Sequence, residues 1–90
     1  MHEAGIAERM LEAALAAATK AGVGAFGSGA RLTGVEVEAG PDAAMSEEAF
    51  RFHWTEAIAG TVADHAILRI VPVDEPAAFR LVAIDVEGAA

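Results

Sequence analysis

An α+β fold, a small three-stranded sheet with two helices packed on it in the order helix-strand-helix-strand-strand, is predicted from three observations on this chain. Two stretches repeat apolar residues at three- and four-residue steps, three others alternate them with polar residues, and turns containing glycine or proline separate them. No segment repeats another, so residues 1–90 read as a single domain. Its core is thin: 54% of the residues are hydrophobic, yet there is one Trp, four Phe and no Tyr. A chain of this size buries only ~60–65% of its unfolded surface.

The first helix is predicted over 3–21. Ile6, Met10, Ala13/Ala14 and Ala17 form its stripe, Leu11 and Leu15 widen it, and Glu3, Glu8 and Glu12 fill the other side. Its alanines favour helix and leave a slim face. Gly22 suits the stop, with Lys20 in the last turn near the negative end of the dipole. A glycine-rich connector follows over 22–31. It lacks the Gly-Lys-Ser/Thr of a phosphate loop, so a plain connector is expected there.

A strand over 32–39 alternates Val35 and Val37 with Glu36 and Glu38, one face buried and the other acidic and wet. Gly40-Pro41-Asp42 turns the chain. The second helix, 47–59, opens at Ser46 as N-cap, with Glu47 and Glu48 at its positive end and Met45 stapled onto Phe50. Phe50, Trp54, Ala57 and Ile58 make its apolar stripe, and Gly60 stops it. Strands over 66–73 and 79–87 are expected to pair as an antiparallel hairpin across Val73 to Ala78, with Val82, Ile84 and Val86 on one face.

Charge and composition exclude several functions. Fourteen acidic residues against six basic ones give a formal charge of −8, and no Lys/Arg cluster exists to track phosphates, so no nucleic acid is expected as partner. The absence of cysteine removes disulfides, thiolate catalysis and Cys-based zinc or iron–sulfur sites. No run approaches the ~20 apolar residues that span a membrane, and no secretory or transit segment is read at the start. A cytoplasmic location is expected. No carboxylate pair or Ser–His arrangement suggests catalysis, and the chain does not read as an enzyme.

The most informative residues are Met1, His2 and Glu3. Read as a free N-terminus, they supply an α-amine, an imidazole and the backbone nitrogens of His2 and Glu3 within reach of one metal ion. Four nitrogens in a plane suit Ni(II) or Cu(II). The Glu3 side chain reads equally as an outer-shell carboxylate or as a helix-start anion. His53, beside Trp54, and His65, after Asp64, read as a packing histidine and a turn histidine, since neither forms a ligand pair.

Several segments together resemble the hydrogenase maturation nickel metallochaperones, the HypA/HybF family. They are Met1-His2-Glu3 with the helix after it, the strand Val35-Glu-Val-Glu-Ala-Gly40, Glu48-Ala-Phe-Arg-Phe-His-Trp54, and Gly60-Thr61 followed by Ala66-x-Leu68-x-Ile70-x-Pro72. The terminal Arg80-Leu-Val-Ala-Ile-Asp-Val-Glu87 completes the set. The resemblance implies Ni(II) carried as cargo on Met1, His2 and Glu3. It implies as partners a nickel-handling maturation GTPase and a [NiFe] hydrogenase large subunit, or urease, and a monomer or weak homodimer. Two departures stand out. The family carries a zinc-finger domain between its last two strands, where this chain has only Val73-Asp-Glu-Pro-Ala-Ala78, so no zinc is expected; and the glycine-rich connector is longer. An alternative stays open: an interaction module of the same fold that carries no metal, favoured by the acidic face of Glu36 and Glu38 and by the missing zinc domain.

Overall fold

Each predicted element forms within one residue of its expected bounds: α1 (Glu3–Lys20), β1 (Arg31–Ala39), α2 (Glu47–Ile58), β2 (Ile67–Pro72) and β3 (Phe79–Glu87). The structure is a computed structural model that describes residues 3–20, 30–43 and 45–88. The expected stop at Gly22 and most of the connector lie outside the described residues, and Arg31, placed in the connector, opens β1 instead.

The local signals for α2 act as their chemistry requires. The Ser46 hydroxyl accepts from the Ala49 amide at 3.1 Å, satisfying one of the helix's free amides. Met45 and Phe50, on either side of that cap, are both buried in the core. At the far end Gly60 takes φ 75°, the left-handed conformation in which a helix C-terminus commonly ends.

The sheet is mixed, in the order β2-β1-β3. β1 and β2 run parallel with Val35 opposite Leu68 and Val37 opposite Ile70, and α2 supplies the crossover that a parallel pair needs. β3 pairs antiparallel with β1, on its other side. The expected β2–β3 hairpin is therefore not formed. The six-residue segment 73–78 does not turn back on β2 but straps across the end of β1, a distance of two strand spacings, ~10 Å.

Gly40 makes that crossing possible. Its amide donates to the Ala78 carbonyl at 2.8 Å, the Val73 amide donates to the Ala39 carbonyl at 3.1 Å, and the Asp42 amide donates to the Pro76 carbonyl at 2.7 Å. A Cβ on residue 40 would overlap the Glu75 carbonyl oxygen and lie 2.6 Å from that of Pro76. Only glycine lets the backbone of the strap approach so closely.

Both helices cover one face of the sheet, where Leu32, Val35 and Val37 are fully buried and Leu68 nearly so. Phe50 is the largest fully buried side chain; its ring stacks near Trp54 at 6.1 Å and meets Phe79 edge-on at 4.9 Å. In α1 the buried line is Ala7, Met10, Ala14 and Ala18, with Ile6, Leu11 and Leu15 half-buried beside it and Ala13 exposed. The alanines occupy the centre of the contact and the larger residues flank it, which moves the stripe one residue along from the expected one.

The expected face of β3 also needs correction. Leu81, Ile84 and Val86 are half-buried against the core, whereas Val82 is 43% exposed. Val37 pairs with Leu81 and Glu36 with Ala83, so Val82 is an extra, bulged residue. A second irregularity at Thr33 of β1, between the pairs Leu32–Val86 and Gly34–Asp85, restores the register.

Candidate metal centre and the charged sheet face

The proposed metal ligands fall at the start of α1. Met1 and His2 lie outside the described residues; Glu3 is the first residue of the helix. That position bears on the chemistry of its backbone nitrogen. The first four amides of a helix have no acceptor within it, so a metal bound to the Glu3 nitrogen displaces no helical hydrogen bond. Two deprotonated backbone nitrogens also cancel the charge of a divalent ion, which removes the repulsion that the positive end of the helix dipole would exert on a bare cation. The surface alongside is open at Gly5, where a Cβ would meet nothing within 4 Å.

His53 and His65 stand where a packing and a turn histidine would. His53 is half-buried on α2, its ring edge-on to Phe52 at 5.2 Å and its Nδ1 3.5 Å from the Glu56 carboxylate. His65 is exposed at φ 69° in the turn before β2, with Nε2 3.8 Å from Asp64 Oδ1. Asp64 organises that turn by accepting from the Gly60 amide at 3.2 Å, while its own carbonyl accepts from Arg31 Nη2 at 3.3 Å. Among the described residues no three His, Asp or Glu side chains converge as a ligand cluster.

The sheet face turned away from the helices carries a ladder of ion pairs that the sequence reading missed. Glu36 is the register partner of Arg69 on β2, and their side chains meet at 3.2 Å. Arg69 also reaches Asp85 on β3 at 3.5 Å, spanning all three strands. Glu38 is the register partner of Arg80 on β3, with Nε to carboxylate at 2.9 Å, and Arg80 reaches Glu75 of the strap at 3.1 Å. Hydrogen bonds to Glu75 and then Glu38 raise the Arg80 guanidinium above its usual range. The face of Glu36 and Glu38 is thus wet, as expected, but not the bare acidic stripe of the sequence reading. The signal was present: arginines at outward positions on two strands facing glutamates on a third.

A cavity of ≈ 510 Å³ opens at the carboxyl ends of β1 and β2 beside the start of α2. Met45, Ile70, Pro72 and Phe79 make its walls apolar. Of its polar members, Ser46 serves as the N-cap and Glu47 pairs with Arg51 at 3.0 Å, while Asp74 stands at the rim of the strap.

Among the described residues no helix is long and apolar enough to cross a membrane. No protein-family model matches this chain, and no curated protein sequence matches it.

Proposed function

We propose that this protein is a cytoplasmic nickel carrier. It holds one Ni(II) at Met1, His2 and Glu3 and exchanges it with a nickel-handling GTPase that serves the maturation of a [NiFe] hydrogenase large subunit or urease. The observation that carries the reading is Met-His-Glu running directly into a helix whose first residue is Glu3. Donors at a free chain end beside that helix would be reachable by a partner and quick to release their cargo. The order of elements, helix-strand-helix-strand-strand, supports the reading, and a short form of the family would have the strap where its relatives carry a zinc domain. The interaction-module alternative loses one support, because Glu36 and Glu38 are paired with Arg69 and Arg80.

The test is titration of untagged protein with Ni(II), followed by absorption and calorimetry. One ion per chain with the spectrum of a planar nitrogen-rich site is expected, and both His2→Ala and an added residue before Met1 should abolish it. Undiminished planar binding in either variant would remove the assignment.

A further inference from the structure

We propose that the outer edge of β3 pairs with the same edge of a second copy of this chain, antiparallel about a two-fold axis at Val82 and Ala83. The two three-stranded sheets would then form one continuous sheet.

The two edges of the sheet are not equivalent. β2 is six residues long, ends in Pro72, and its Leu68 carbonyl accepts from Arg51 Nη1 at 3.0 Å. Short length, proline and a covering side chain are the usual protections of an edge strand. β3 is nine residues long; among the described residues β1 is its one strand partner and no other backbone group bonds to it. Beside it runs an open apolar groove formed by Ala17 of α1 with Leu81, Val82, Ala83 and Ile84.

The occupant is read from the side-chain pattern. Facing residues of an antiparallel pair share a face of the sheet. Phe79, Leu81, Ile84 and Val86 lie toward the core, whereas Arg80, Ala83, Asp85 and Glu87 are exposed. In a regular strand, two-fold pairing matches odd positions with odd and even with even. The extra residue Val82 shifts the alternation, so β3 matches a copy of itself only when odd positions meet even ones. One such register pairs the most residues with every face matched. It sets Phe79 opposite Val86 of the partner subunit, Arg80 opposite Asp85 of the partner subunit, and Leu81 opposite Ile84 of the partner subunit. The symmetry repeats each contact, so the charge complementarity occurs twice. A strand of unrelated sequence has no reason to meet both the shifted alternation and the charge order. The bulge that blunts this edge toward other strands makes it self-complementary.

Sedimentation equilibrium of the full chain tests the pairing, over concentrations up to about 1 mM, the weak end of specific association. A reversible shift from 9.2 kDa to twice that mass is expected. Val82→Glu, at an exposed position, sets two carboxylates at the axis and should weaken association about tenfold or more while circular dichroism stays native. As a second readout, Val82→Cys introduces the one thiol of the chain at the axis, and mild oxidation should join two copies faster there than in Phe52→Cys on α2. A purely monomeric native protein, a Val82→Glu variant that associates like native, or equal crosslinking at positions 82 and 52 would each overturn the proposal.

Discussion

Phe50 of α2 and Phe79 of β3 meet edge-on, ring centroids 4.9 Å apart at 84°, and this contact ties the crossover helix to the strand that follows the strap. Phe50 has no exposed surface and also adjoins Trp54. Phe50→Ala should cost about 3–5 kcal/mol, a large share of the roughly 5–15 kcal/mol that holds a domain folded. Loss of most helical signal at 37 °C in circular dichroism is expected, and a variant that melts near the native temperature would place the core elsewhere.

Gly40 and Gly5 should respond in opposite directions to the same change. Alanine at 40 must displace the strap backbone, at about 1–3 kcal/mol. Alanine at 5 meets open space in a helix and should gain about 0.5–1 kcal/mol. Thermal melts of the two variants should therefore move apart, by about 4–8 °C per kcal/mol for a domain of this size.

Ser46→Ala removes the acceptor for the Ala49 amide. A loss of about 1 kcal/mol, read as a lower urea midpoint at unchanged slope, is expected. Ser46→Asp should restore most of it, since aspartate caps as well.

Nickel affinity should fall as the pH falls, because amine, imidazole and amide nitrogens must lose protons to ligate. Cu(II) should displace Ni(II) in a competition titration, following the divalent affinity order. Removal of the metal with a chelator should leave the fold intact, because the described core is built from apolar residues with no buried polar or charged side chain. A chelator-induced unfolding transition would reveal a structural metal.

How much was legible in the sequence follows from what each signal encodes. Periodicity reports which residues share a face, so Val35, Val37, Phe50, Trp54 and Ile58 were readable as core. It does not report which strand lies beside which. A six-residue connection fits a hairpin and a strap over one strand equally well, and β3 was assigned the wrong neighbour. The run Leu81-Val82-Ala83-Ile84 is apolar throughout, so alternation could not expose the bulge. The stripe of α1 shifted for a related reason, because in an alanine-rich helix the small residues can take the closest contact. Of the candidate site, the described residues include Glu3 at the helix start, while Met1 and His2 lie outside them.

The strap has a consequence for how this domain can grow. Its two ends are held on consecutive residues, Val73 to Ala39 and Ala78 to Gly40. Anything spliced between them would hang from two adjacent stems already fixed to the central strand. Each doubling of a loop's length costs only about 0.6 kcal/mol in closure entropy. A whole appended module could therefore be gained or lost at this crossing with the register of the sheet untouched.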